Sequence, residues 1–158
     1  MKLTRAYKLK LLFLLSPTEQ LSLVRLLNSY PRISSSHQPL SKTRRVPDLA
    51  ANQALLEEAL AEQRAENRKQ LKSWLATEGR FKPTKDAVQL SIARADMEWL
   101  LQVLNDIRVG NWLALGQPDE SFRELTVETA PQMLAMELAA YFQSHLLDGL
   151  RVGTDPGA

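Results

Sequence analysis

The chain contains no cysteine, which excludes a disulfide framework, a thiolate metal site and a cysteine nucleophile. Its two histidines, His37 and His145, stand more than a hundred positions apart, and no carboxylate-rich motif surrounds either of them. A metal centre built on histidine needs several ligands at short, defined spacings. We therefore predict that the protein holds no metal and no other cofactor.

Long hydrophobic runs are also missing. The apolar patch "LLFLL" at residues 11–15 is shorter than the apolar core of a secretory signal, and no small-residue cleavage site follows it. Nothing in the chain approaches the roughly 18 consecutive apolar residues that a membrane span requires. The sequence predicts a cytoplasmic protein without membrane contact.

What the chain does contain suits one domain. Its 158 residues are 44% hydrophobic and 24% charged, enough to bury a sizeable core. The formal charge is +8 over residues 1–45, +1 over 46–95 and −7 over 96–158. Because the acidic residues are dispersed among apolar ones, we interpret this asymmetry as attraction between two parts of one fold. A nucleic-acid-binding surface on the basic part is the alternative.

Periodicity predicts both strands and helices. Apolar residues at alternate positions indicate one strand over residues 3–15 and another over 87–93, and pairing would satisfy both. Helical patterns with capping signals indicate four helices, at about 17–29, 48–77, 95–115 and 130–150. We predict a mainly α fold, a four-helix bundle with a small two-stranded sheet. It forms a single domain over 1–150, with a flexible basic loop at 31–47 and a disordered tail at 151–158.

Several polar residues fall on the apolar faces of these helices. If three helices carry these residues at the same height along the bundle, the residues form a small polar pocket that would hold an anion. The predicted pocket residues are Gln63, Asn67, Arg108, Asn111 and His145. The ordinary alternatives are a hydrogen-bonded core imidazole for His145 and a buried ion pair for Arg108, with Glu137 as its candidate partner. Both alternatives are favoured over a catalytic role.

Two surfaces are candidates for partner binding. The last helix carries a second apolar stripe, which predicts a contact between subunits of a homo-oligomer: Met133, Met136, Ala140 and Leu147. The basic loop carries Lys42, Arg44 and Arg45, and we expect it chiefly to face water and keep the protein soluble. The alternative is that these three residues contact phosphates without sequence preference. A helix-turn-helix reader is not expected, because a Pro- and Ser-rich loop follows the first helix in place of a recognition helix.

Three segments together resemble a known family. They are "LLEEALAEQRAENRKQL", "WLLQVLNDIRVGNWLALG" and "ELAAYFQSHLLDGL", within a likeness that covers most of residues 7–150. The chain resembles an uncharacterised bacterial family with a Leu-Asn-Asp-x-Arg helix, often encoded beside the Clp protease adaptor. Asn105, Asp106 and Arg108 match that motif. The resemblance implies a possible partner in a Clp-type protease system and no particular activity.

The motif residues are expected in different places. On the helical wheel Asn105 and Asp106 fall on the polar side, outward or at a helix interface, whereas Arg108 and Asn111 fall on the core face. No Gly-rich phosphate loop, nucleophile elbow or metal-ligand spacing accompanies these side chains. The sequence therefore favours a non-catalytic interaction or regulatory protein that acts through helix contacts. A nucleic-acid-binding regulator is the first alternative, and a small-anion-binding protein or enzyme with a polar pocket is the second.

Overall fold

The computed structural model describes residues 1–34, 49–119 and 124–153 of the chain. Within these residues the chain forms four helices and one four-stranded antiparallel sheet, so the protein is mixed α/β. The prediction of a mainly α bundle with a small two-stranded sheet is therefore wrong. Of the predicted basic loop only residues 31–34 are described, and of the predicted tail only 151–153.

The sheet has the strand order β1-β2-β4-β3. In chain order its strands are β1 Lys2–Ala6, β2 Lys10–Leu15, β3 Phe81–Pro83 and β4 Val88–Ala93. The β2–β4 ladder runs without a break from Lys10 opposite Ala93 to Leu15 opposite Val88. The expected pairing of an N-terminal strand with the strand near residue 90 is thus present, but at the centre of a larger sheet.

The single strand predicted over residues 3–15 is a hairpin of β1 and β2. The chain reverses at residues 7–9, where the Tyr7 amide donates to the Lys10 carbonyl oxygen over 2.8 Å. The apolar alternation continues through this turn and hides it in the sequence, yet Leu9 is 77% exposed and contributes nothing to the core. The other unpredicted strand, β3, has three residues and ends on a proline, which leaves little strand signal.

The helices lie close to their predicted positions: α1 Pro17–Asn28, α2 Leu49–Ala76, α3 Met97–Ala114 and α4 Ala130–Arg151. A 3₁₀ turn, Arg94–Asp96, leads into α3. A capping box begins α1: the Glu19 amide donates to Ser16 Oγ over 3.1 Å, and the Ser16 amide donates to the Glu19 carboxylate over 2.7 Å. No helix in the described ranges has an apolar stretch long enough to cross a bilayer.

The described helices pack on one face of the sheet, because their buried residues join those of the strands in one core. The sheet contributes six side chains that are at most 1% exposed: Ala6, Leu11, Phe13, Leu15, Leu90 and Ile92. At Gly149 α4 approaches β2 so closely that an added Cβ would lie 2.8 Å from the Phe13 ring. Burying each such Leu or Phe side chain stabilises the fold by roughly 1.5–3 kcal/mol, and the helix residues buried against this layer contribute in the same way.

The helix α2 enters the core only near its C-terminal end, through Leu71 and Trp74. The Trp74 indole donates to the Asp96 carboxylate over 3.1 Å. Farther towards the N-terminus of α2, a half-buried stripe continues through Leu60, Arg64 and Asn67. Because this part of α2 stays outside the main core, polar residues are tolerated on its inner side, and cavities remain beside it.

Candidate functional site

A cavity of about 290 Å³ lies between α2 and α3, and we call it the α2–α3 cleft. Its lining is mostly polar: Tyr30, Leu60, Gln63, Arg64, Asn67, Gln102, Val103 and Asp106. Gln63 and Asn67 are the members of the predicted polar pocket that it contains. A cavity with several converging polar groups is the default candidate for a small-ligand site.

The amide of Asn67 is fixed from both ends. Its Nδ2 donates to the Tyr30 hydroxyl over 3.1 Å, and its Oδ1 accepts from the Trp99 indole over 3.2 Å. Burial raises the pKa of Tyr30, and the nearby Asp106 charge adds to the shift, against the Asn67 hydrogen bond and the Arg64 charge. The Tyr30 hydroxyl therefore stays protonated at neutral pH and acts as a hydrogen-bonding group rather than as a nucleophile.

The carboxylate of Asp106 holds the segment that follows α1. Its Oδ1 accepts from the backbone amides of Arg32 and Ile33, over 2.7 Å and 3.4 Å, and its Oδ2 lies 3.8 Å from Nε of Arg64. Both oxygens are thus engaged, so Asp106 positions residues 32 and 33 against α3 and balances one guanidinium charge. Asp106 is predicted to lie either outward or at a helix interface. The second position is confirmed, because the Asp106 carboxylate pairs with Arg64 of α2.

Beside the cleft lies a second cavity, of about 460 Å³, which we call the arginine pocket. Its lining comes from the segment after α1 and from α2: Pro31, Arg32, Ile33, Ser34, Ala61, Arg64, Ala65 and Arg68. The residues that line it include three arginines and no acidic residue, and the Asp106 carboxylate outside it pairs with Arg64. The pocket therefore has an excess of positive charge.

Arg64 stands between the two cavities and lines both. Its side chain is only 12% exposed, and its Nη1 is buried without a hydrogen-bond partner among the described residues. Leaving a buried donor unsatisfied costs about 1–3 kcal/mol, and more for a charged group. An acceptor placed at this nitrogen would recover that free energy, which makes Arg64 the central residue of the site.

The segment that carries Arg32 is seated on α3 at Gly110. An added Cβ at Gly110 would lie 2.6 Å from the carbonyl carbon of Arg32 and 2.9 Å from the backbone nitrogen of Ile33. Beside it, Asn111 is 1% exposed; its Nδ2 donates to the Ile107 carbonyl over 2.7 Å and its Oδ1 accepts from Nη2 of Arg32 over 3.3 Å. The expected burial of Asn111 is confirmed, and its side chain orients the Arg32 guanidinium through this hydrogen bond.

The structure does not bring the five predicted pocket residues together. Arg108 is exposed, so the predictions that it lies on the core face or in a buried ion pair are wrong. The core side of α3 is taken by Leu104, Ile107 and Asn111, and Arg108 projects beyond that stripe. His145 is half-buried on α4, where its ring meets the Tyr141 ring edge to face with centroids 4.5 Å apart, and it lines neither cavity.

The remaining predicted residues are scattered. Asn105 is exposed, as expected. In the predicted interface stripe Met136 is 7% exposed and belongs to the core, Met133 and Ala140 are half-buried, and only Leu147 is exposed, so the four do not form one outer surface. Lys42, Arg44 and Arg45 lie outside the described residues.

The residues that the sequence analysis missed are Arg32, Arg64 and Arg68. Arg64 lies on the inner stripe of α2, between Leu60 and Asn67, and a charged residue inside a half-apolar stripe was the signal available. Arg32 follows a proline in a region predicted to be a flexible loop, and nothing local indicates that it returns to α3. Among the described residues no three carboxylate or histidine side chains are grouped to hold a metal ion.

Comparison with protein-family models, with curated proteins and with solved structures finds no match to this chain. The resemblance to the Leu-Asn-Asp-x-Arg family therefore stays a prediction. Of the three motif residues, Asp106 accepts hydrogen bonds from the backbone amides of Arg32 and Ile33, whereas Asn105 and Arg108 are exposed.

Proposed function

We propose that the protein is a non-catalytic binding protein and that its arginine pocket holds a small molecule bearing a carboxylate or a phosphate. The observation that carries the proposal is the buried Nη1 of Arg64, which has no partner among the described residues. Arg32 and Arg68 line the same cavity and would supply further donors. Guanidinium groups bind oxyanions with two parallel hydrogen bonds, which suits both ligand classes.

The neighbouring groups support binding rather than catalysis. Asp106 is committed to two backbone amides and to Arg64, and Tyr30 keeps its proton, so neither offers a free general base. The pocket volume of about 460 Å³ falls in the usual range for small-molecule sites, roughly 300–1,000 Å³. Its apolar wall, formed by Pro31, Ile33, Ala61 and Ala65, favours a ligand with a short hydrocarbon part beside its anionic group.

Calorimetric titration of the full chain with inorganic phosphate and, separately, with succinate tests the proposal. Arg64→Lys keeps the charge but loses Nη1, and we expect about tenfold weaker binding, equivalent to about 1.4 kcal/mol. Arg68→Gln, at an exposed position that leaves the core untouched, should weaken binding as well. Arg25→Gln removes the same charge from the exposed end of α1 and should change nothing. Saturable binding of neither anion to the folded protein would overturn the proposal.

Self-association is a second candidate function, in line with the interaction role predicted from the sequence. It is supported by two apolar side chains on the same side of α4, Leu134 and Tyr141, which are 60% and 38% exposed. Light scattering should then report a dimer, which Leu134→Glu disrupts and the control Val127→Glu, outside α4, leaves intact. A monomer at all accessible concentrations would contradict it. The Clp-type partner and the cytoplasmic location stay predictions.

A further inference from the structure

The sheet has a second face, turned away from the helices. Because side chains alternate along a strand, residues between the buried positions of β2 and β4 point to this outward face. The ladders place them in cross-strand rows: one row runs Lys2, Leu14, Gln89, Lys82, the next includes Arg5, Leu12 and Ser91, and Lys10 lies opposite Ala93. We call these residues the outward face.

Every charged residue on the outward face is basic. Lys2, Arg5, Lys10 and Lys82 are all exposed, and the four strands contain no Asp or Glu. None of the four forms an ion pair with a described residue. The first row crosses three interstrand spacings, about 14 Å in all, which exceeds the Debye length of about 8 Å at physiological salt. The charges at its two ends therefore add to one positive field at low salt and are increasingly screened as the salt concentration rises.

Protection of sheet edges does not account for all of this charge. Lysines on edge strands discourage pairing with another chain, and Lys2 and Lys82 lie on the edge strands β1 and β3. Lys10, however, is on the inner strand β2, where no edge is exposed. The edge lysines also argue against a partner protein that would add a strand, which leaves a polyanion as the partner that the charge favours.

The centre of the outward face is apolar. Leu12 and Leu14 are half-buried there, flanked by the basic residues. Tyr7 stands at the end of the hairpin, with Nζ of Lys10 lying 5.5 Å from its ring centroid. A face of this kind offers apolar contact to unpaired bases and charge to their phosphates, whereas it has no helix or ribbon that would enter the groove of a duplex.

We propose that the outward face binds single-stranded nucleic acid through its phosphate backbone, without sequence preference. The site is independent of the arginine pocket, because the pocket lies on α2 and the preceding segment and shares no residue with the sheet. Leu12 and Leu14 contact the bases, and the four basic residues contact phosphates. Neutralising four phosphates on a single strand gives a salt slope of about −2.8 in log K against log salt.

The test is fluorescence anisotropy of the full chain with labelled oligo-dT and oligo-U of twelve nucleotides, beside a DNA duplex and vesicles containing phosphatidylserine. We expect the single strands to bind and the affinity to fall about fifty-fold between about 50 mM and 200 mM salt. Tighter binding of the duplex than of both single strands overturns the assignment to single strands. Binding to vesicles without binding to any oligonucleotide overturns the proposal, as does the absence of all binding.

Paired variants locate the site. Lys10→Gln with Lys82→Gln should halve the salt slope and weaken single-strand binding about 25-fold at about 0.1 M salt. Lys69→Gln with Lys72→Gln removes the same charge from the exposed side of α2 and should leave the affinity and the slope unchanged. Equal losses in both pairs would mean attraction to net charge alone and would overturn the assignment to the outward face.

Discussion

The surroundings of Arg64 and the outward face of the sheet both concentrate positive charge, but they do so under opposite physical conditions. Near Arg64 the guanidinium and the Asp106 carboxylate are each less than 15% exposed and lie 3.8 Å apart. On the outward face the basic side chains are exposed and have no acidic neighbour within the strands. A buried charge requires a partner, whereas water solvates an exposed one. Substitutions should therefore destabilise the first region and leave the stability of the second nearly unchanged.

The substitution expected to lower the free energy of unfolding most is Gly110→Ala, beside the Arg64 region. The added methyl group would meet the backbone of Arg32 and Ile33, which cannot move away without losing the Asp106 hydrogen bonds. We expect a loss of about 3 kcal/mol in the free energy of unfolding, measured by urea denaturation. Gly153→Ala is the control, because nothing lies within 4 Å of its added Cβ. Equal stability of the two variants would show that the segment is not seated on α3.

Asp106→Asn tests the charge balance directly. It keeps an oxygen for the Arg32 amide but leaves the Arg64 guanidinium without its carboxylate. We expect a cost of about 2 kcal/mol in the free energy of unfolding, against less than about 0.5 kcal/mol for Asn105→Ala on the exposed side. In a double-mutant cycle, Arg64→Gln should recover part of the loss. Strictly additive costs would mean that the two residues do not interact.

Glu19, at the start of α1, is half-buried. Its exposure lies between that of Arg64 and that of the lysines on the outward face. Burial alone would raise its pKa, but hydrogen bonds from the N-terminal ammonium group, the Tyr141 hydroxyl and the Ser16 amide lower the pKa from 4.5 to about 2. A depressed carboxyl pKa contributes stability above about pH 4.5, and that contribution is lost as the pH falls towards 2.

The melting temperature of the wild type should accordingly exceed that of Glu19→Gln at neutral pH, and the gap should close on acidification through this range. Glu62→Gln, at an exposed position in α2, should show a small gap at every pH. A gap for Glu19→Gln that does not change with pH would assign its effect to packing rather than to charge.

The smallest effect is expected on the outward face. Lys10→Gln with Lys82→Gln should change the free energy of unfolding by less than about 0.5 kcal/mol. The substitutions relieve repulsion between like charges, which should raise the stability at low salt, and they remove the contact of Lys10 with the Tyr7 ring, which offsets part of that gain. The gain from relieved repulsion should vanish at high salt. Urea denaturation at two salt concentrations measures both. A clear loss of stability would show that these lysines have partners and would remove the contrast with Arg64.

The candidate sites were less accessible to sequence analysis than the helices. Arg64 and Asp106 sit on different helices, 42 positions apart, and nothing in the local pattern of either helix indicates the other. Arg108 shows the opposite error: on the helical wheel it falls on the core face, but in the structure it is exposed. A helical wheel ranks positions around one helix axis and does not say which neighbours pack on it. The inner face that it indicates for α3 therefore includes Arg108, which is exposed, and omits Asp106, which pairs with Arg64 of α2.

The sequence by itself determined the four helices and the start of α1, because helical periodicity and the Ser16–Glu19 capping box act over a few residues. It also predicted strands with one buried face over residues 3–15 and 87–93, and within these ranges residues 10–15 and 88–93 are such strands. Only the tertiary structure decided that the chain reverses at residues 7–9 and that β3 adds a fourth strand. It likewise decided that Arg32 returns to Asn111 and which arginines are buried. Those features depend on contacts between residues far apart in the chain, and the free energy of such contacts is absent from any local pattern.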